Sequence, residues 1–314
     1  MSRDRSKSNY GSHIHRIKTI RTITILLAVL IVVGTPLIFL AGFQSRKGKE
    51  RKELLNSWNL GDYETVFNMS QTALLSRPTD YFLLTVHGFS AYQLGISQIN
   101  NFDVLYYIDE CIWSLRKALL LKESAEDGRV YYVLGKAYSN KGDDYADLAV
   151  KNLLAARDLS FNAPDIPEYL GLAYAAVGDY RSSVEAFSQA LNRGEEKPSD
   201  LLLLSIANSY AALEEYEAAK AYLLRCLDIS MDSKTMVTAR LFLAEIYDKT
   251  GNTEEAENQY LIIIDTTADN AEAHYQLGEL YLKQGDPTKA RSEWRLAIRS
   301  DPAHQKARIR LNLL

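Results

Sequence analysis

Catalysis needs nucleophiles, acids, bases or metal ligands brought to one place, and the residues of this chain that could serve are scattered. There are two cysteines, Cys111 and Cys226, and five histidines. His13 and His15 lie near the start, His87 and His274 far apart in the interior, and His304 close to the end, so no spacing suits a zinc site. Ser114 and Lys117 have the spacing of a serine-lysine pair, in which the amine would activate the hydroxyl, but nothing near them supplies the other parts of such an enzyme. The acid pairs Glu214-Glu215 and Glu254-Glu255 fall at turns or first helical turns, where solvation and the positive end of a helix account for them. A Walker loop and a dinucleotide fingerprint are both absent from the sequence. No catalytic residue, cofactor or metal is expected, and the chain does not read as an enzyme.

The elements that would have to position such groups carry the stronger signal. From Ala271 to Pro302 the pattern predicts two short amphipathic helices, with Gly285 closing the first and Asp286-Pro287 opening the second as N-cap and first-turn proline. Gly278, Ala290 and Ala297 let the two backbones approach, while Leu277, Tyr281 and Trp294 fill the space beside them. The same pattern recurs. Leu134-Gly135, Tyr138, Gly142, Ala149, Leu153 and Ala156 make one copy, with two extra residues in its turn. Leu170-Gly171, Tyr174, Gly178, Phe187 and Ala190 make the next. Ile206-Ala207, Tyr210, Tyr216, Ala219 and Leu223 follow with Glu214 in place of the turn glycine, and then Leu243-Ala244, Tyr247, Gly251, Ala256 and Tyr260.

Starts at 128, 164, 200, 237 and 271 are 36, 36, 37 and 34 residues apart. This recurrence resembles the tetratricopeptide (TPR) repeat, whose period is about 34 residues. The resemblance covers roughly residues 61–304. It implies an all-α fold, a right-handed α-solenoid of helix pairs. The expected divisions are a polar linker or helix at 44–60, degenerate repeats with an insertion at 61–127, five repeats at 128–163, 164–199, 200–236, 237–270 and 271–304, and a capping helix at 305–314. The helix through Leu54, Leu55 and Trp58 is polar for a first helix. About 11 extra residues, including Ser97 to Asp103, precede Cys111 and predict either a long loop or lengthened helices. Cys111 and Cys226 fall where the repeat wants a small residue, so both are expected as buried thiols. Some three repeats apart, they would not meet to form a disulfide.

The first residues differ in kind. Residues 1–21 are basic and Ser-rich without apolar periodicity, which reads as a disordered tail. Residues 22–43 contain no charge and would span roughly 33 Å as a helix, enough to cross a bilayer. The run is too long for a signal-peptide core, no small-x-small site follows it, and Leu40 to Phe43 offer no cysteine for lipid attachment. A transmembrane helix is therefore expected, in a single-pass membrane protein. Six cations precede the run and five follow it closely; the positive-inside rule then expects a cytoplasmic tail and an exported body, as in a bacterial inner-membrane protein facing the periplasm. Overall there are 36 Lys and Arg against 40 Asp and Glu, but residues 1–53 are basic, so the body is distinctly acidic. That argues against nucleic-acid partners.

In TPR proteins the inner faces of the first helices line a concave groove for a peptide or a partner's helix. Carried onto this chain, that resemblance places Phe82, Phe89 and Tyr92, then Arg129, Tyr132 and Lys136, then Asp165, Glu168, Leu172 and Asn208 on the groove. Leu241, Glu245, Asp248, Glu272, Tyr275 and Glu279 continue it, so the surface would run from aromatic through basic to acidic. A membrane-anchored scaffold that binds basic or amphipathic protein segments, in assembly or chaperoning of envelope complexes, is the function implied. A cytosol-facing receptor or adaptor, and a non-catalytic regulatory subunit of a membrane enzyme or transporter complex, are the alternatives. Tyr-rich outer faces would also permit self-association. The Lys, Asn and Arg set with which some TPR proteins clamp a chaperone's terminal carboxylate is not evident, since Lys136 and Asn208 stand isolated.

Overall fold

A computed structural model describes residues 48–121, 127–193, 198–267 and 269–313. The basic tail, the apolar run at 22–43 and the first residues of the 44–60 linker lie outside them. No described helix is long and apolar enough to cross a membrane.

The described residues form two compact units. Residues 48–141 with 155–163 make the first, and residues 142–154 with 164–313 the second. The first unit holds α1 (Gly48–Asn59), α2 (Tyr63–Ser76), α3 (Tyr81–Ser97), α4 (Asn101–Ala118) and α5 (Gly128–Lys141). α6 (Ala146–Asp158) is divided between the units. The second continues through α7 (Ile166–Ala176), α8 (Tyr180–Arg193), α9 (Asp200–Ala212), α10 (Tyr216–Ile229), α11 (Ser233–Lys249), α12 (Thr253–Thr266), α13 (Ala271–Lys283), α14 (Pro287–Ser300) and α15 (Gln305–Leu313). No strand occurs among the described residues.

Polarity does not keep α1 from packing. It buries Leu54 and Trp58 and lays the Arg51 guanidinium 4.8 Å from the centre of the Phe82 ring on α3. The extra residues around position 100 lengthen α3 to 17 residues and α4 to 18, with the Asn100 side chain capping α4 at the Phe102 amide. In the 142–145 turn, Gly142 takes φ 126° and a 3-10 turn covers Asp143–Tyr145.

Within a pair, glycine or another small residue on the first helix meets a large one on the second. A Cβ at Gly171 would lie 2.4 Å from the Phe187 ring, and one at Gly278 2.6 Å from Trp294 Nε1. These close approaches are why Phe187 and Trp294 can be wholly buried. Between pairs the core is continuous: Leu203, Ala207, Leu223 and Cys226 pack with Leu243 and Ile246, and Ala244 and Tyr260 pack with Leu277, Trp294 and Ala307. α15 completes the second unit by covering that last cluster with Ala307 and Leu311.

Candidate functional site

Each helix pair of the second unit presents its first helix on the same side, and a groove of about 800 Å³ runs across four of them. Leu172 and Ala175 come from α7, Leu204, Ser205 and Asn208 from α9, Thr238, Leu241, Phe242 and Glu245 from α11, and Glu272 and Gln276 from α13. Tyr260 of α12 contributes from below. The lining alternates by chemistry. Leu172, Leu204, Leu241 and Phe242 supply an apolar strip, Ser205, Asn208, Thr238 and Gln276 offer hydrogen-bonding groups, and Glu245 and Glu272 supply charge.

The acids are not left bare. Lys249 reaches Glu245 at 2.7 Å, Lys283 bridges to Asp248 at 2.7 Å, and Arg310 of α15 forms a fork onto both oxygens of Glu279, its Nε at 2.8 Å. Glu272 accepts from Gln276 at 2.7 Å and lies 3.2 Å from His304 Nε2. At Tyr260 the carboxylates are nonetheless felt. Burial raises the Tyr260 phenol pKa, and the carboxylates of Asp248, Glu245 and Glu272 raise it further, so the hydroxyl at the floor keeps its proton.

Of the residues expected to line a groove, Asn208, Leu241 and Glu245 come together here, and so do Leu172 and Glu272. Glu168 is half-buried on α7, and Tyr275 is half-buried on α13 with its ring 5.1 Å from His304. Asp248 and Glu279 are engaged in the ion pairs just described.

The aromatic and basic end needs correction. Phe82, Phe89, Tyr92, Tyr132 and Lys136 are all buried in the first unit, none exposed by more than 8%. α1 covers Phe82, and the Lys136 ammonium sits 5.6 Å from the Tyr92 ring centre and 5.1 Å from that of Tyr132 while donating to the Tyr132 hydroxyl at 3.1 Å. Arg129 is held by Asp127 through two hydrogen bonds of 2.7 and 2.8 Å. Long aromatic side chains and an amine on adjacent first helices close over one another, and the surface predicted there becomes interior.

Leu204, Ser205, Thr238 and Gln276 escaped the sequence reading although each lies three or four residues from one it named, in the same helical row. Tyr260 had no such signal. It belongs to a second helix, and only packing between pairs brings it to the floor.

The residues with catalytic potential stay apart. Ser114 is fully buried while Lys117 Nζ lies 4.8 Å from the Trp113 ring centre. Cys111 and Cys226 are buried free thiols whose pKa burial raises. Among the described residues no cluster of His, Cys, Asp and Glu could hold a metal ion.

A family model of the tetratricopeptide repeat matches residues 170–234 and 237–305, the stretch that forms α7 to α14. These helix pairs are tetratricopeptide repeats. The described residues have the architecture of a TPR-type helical repeat. The chain is similar to the C-terminal part of a TPR protein from Cytophaga hutchinsonii, 15% identical, with a TM-score of 0.58 over 83% of this chain and 98% of that one. A TPR protein from Parabacteroides merdae, also 15% identical, gives 0.51 over 85% and 97%. YrrB, a TPR protein with an unusual peptide-binding site, is 22% identical with a TM-score of 0.48 over 64% and 98%. At these identities the likeness is one of fold. No curated protein matches the chain.

Proposed function

We propose that this protein is a non-catalytic scaffold, anchored in a membrane by residues 22–43, whose TPR groove takes up an amphipathic segment of a partner protein in assembly or chaperoning of envelope complexes. The observation that carries the binding role is the groove itself. An apolar strip flanked by amide and hydroxyl groups, on rigid helices, suits a peptide with alternating apolar and polar positions. The carboxylates of Glu245, Asp248 and Glu272, felt at Tyr260, favour a basic flank on that segment.

The test is a photo-crosslinking residue at Asn208, exposed in the groove, in the full-length chain in cells. Leu172→Asp with Leu241→Asp is the companion variant. Both leucines line the groove, and Leu241 also packs against the core, so circular dichroism must first show the fold retained; crosslinks should then fall at least tenfold, about 1.4 kcal/mol or more. Crosslinks that survive the double substitution would overturn the groove as the binding site.

The membrane reading rests on the uncharged 22-residue run and its basic flanks. Its placement, an exported body in the periplasm, is tested by protease protection of a C-terminal tag. Cleavage once the outer barrier is opened, with the inner membrane sealed, supports it. Cleavage only on full lysis moves the repeats to the cytoplasm and favours the receptor or adaptor role.

A further inference from the structure

Helix α4 keeps an apolar stripe outside the core of its own unit. Ile108, Cys111, Ile112, Leu115 and Ala118 point inward and are buried. On the opposite side Phe102, Tyr106 and Trp113, at i, i+4 and i+11, share one stripe and are 77%, 45% and 55% exposed. Leu105 flanks them, and Ile99 and Leu120, just beyond the two ends of the helix, are exposed as well. Charge enters this face at Asp109 and Arg116.

The charges nearby leave the stripe cationic at one end. Asp109, on the same face, is paired with Lys141 of α5, and Glu110 is turned toward His87 at 3.4 Å. Arg116 is exposed in the last turn, and Lys117 lies against the Trp113 ring. Phenylalanine and leucine beside Tyr, Trp and two cations is the composition that stabilises a helix lying in the headgroup region of a bilayer.

The chain also delivers this unit to such a surface. The apolar run ends at Phe43 and α1 begins at Gly48, so fully extended chain between them reaches at most roughly 17 Å. A unit held that close meets the bilayer at high effective concentration, and modest affinity suffices.

We infer that the exposed face of α4 rests on the lipid headgroup layer of the membrane that anchors the chain. The inference builds on the proposed anchor at 22–43. Its consequence is that the first unit is fixed against the bilayer and not merely tethered to it.

Tryptophan fluorescence tests this directly, because Trp58 and Trp294 are buried and Trp113 is the exposed one of the chain's three. The full-length protein is reconstituted in vesicles of phosphatidylcholine and phosphatidylglycerol, with or without bromine on the upper acyl carbons. Emission lost on changing Trp113→Phe isolates the contribution of this residue. That contribution should fall by roughly half in brominated vesicles if the ring sits at the acyl boundary. An alkaline carbonate wash of the same vesicles reports on the anchor. A chain stripped by the wash overturns the anchor and this inference with it. If the chain resists the wash but Trp113 is unaffected by bromine, only the inference about α4 is overturned. Trp113 shielded from water yet unquenched by bromine, with chain-to-chain crosslinks through α4, would assign the face to a second copy instead and likewise overturn it.

Discussion

At the scale of single residues, the fold depends on a few positions where backbone and side chain compete for the same space. A methyl group at Gly278 would lie 2.6 Å from Trp294 and 3.1 Å from the Ala290 carbonyl, and the indole has no room to retreat because it is wholly buried. Gly278→Ala should therefore destabilise by about 1–3 kcal/mol, seen as a lower melting temperature. Glu214 presents the reverse case. It stands where the other repeats place a turn glycine and adopts φ 60°. Glu214→Gly should raise stability by up to about 1 kcal/mol, the relief of left-handed backbone being partly offset by a more flexible unfolded chain. His87 ties stability to pH. Burial lowers its pKa, against the opposing pull of Glu110 and the Phe67 carbonyl, while Ser70 Oγ contacts Nδ1 at 3.0 Å. The unfolded chain then protonates first. Stability is complete above about pH 6.5 and falls as the pH drops through that value toward the lower folded one. Melts at pH 7.5 and 5.5 should show a larger loss for the wild type than for His87→Gln; equal losses would assign the effect to other groups.

At the scale of elements, the ends of the stack and the exposed faces of the first helices carry different burdens. α15 closes the second unit, and its fully buried Ala307 lies against the Leu277, Trp294 and Ala297 cluster. Ala307→Asp would bury an unpaired carboxylate, and a cost of about 2–4 kcal/mol is expected, with faster amide exchange in α13 and α14. Arg310→Ala breaks the fork onto Glu279, but that side chain is 40% exposed, so a cost under about 1 kcal/mol is expected. The same helix thus holds by apolar contact and is merely oriented by charge. If Arg310→Ala proved the costlier change by urea titration, that ordering would be wrong. For the groove, part of the lining was legible from helical spacing: Leu172, Asn208 and Glu245 each follow the small crossing residue of successive first helices, and Leu241 and Glu272 lie on the same faces, whereas Leu204 and Phe242, the other half of the apolar strip, were not named. The neutralisation of Glu279 was not legible, since Arg310 is 31 residues away and only the packing of α15 brings it in.

At the scale of the whole molecule, stability is assembled from neighbours. The helices pack on the elements next to them in the chain, so destabilising one repeat should remain local. Hydrogen exchange on Gly278→Ala should show loss of protection in α13 to α15 and none in α1 to α4; uniform loss along the chain would show a single cooperative unit instead. Spacing alone determined the helix pairs, because a 3.6-residue apolar period with Gly or Ala at the crossing can be satisfied only by two close helices, and its return every 34 to 37 residues repeats the solution. Tertiary structure decided which side chains remain on the surface. Phe82, Tyr92, Tyr132 and Lys136 satisfy the rule for a groove as well as Leu241 does, yet they are interior, because α1 and the neighbouring first helices reach over them. Phe102 and Trp113, by contrast, remain outside. Periodicity assigns a residue to a face of its own helix. Whether that face meets water, lipid or another helix depends on what the rest of the chain lays against it.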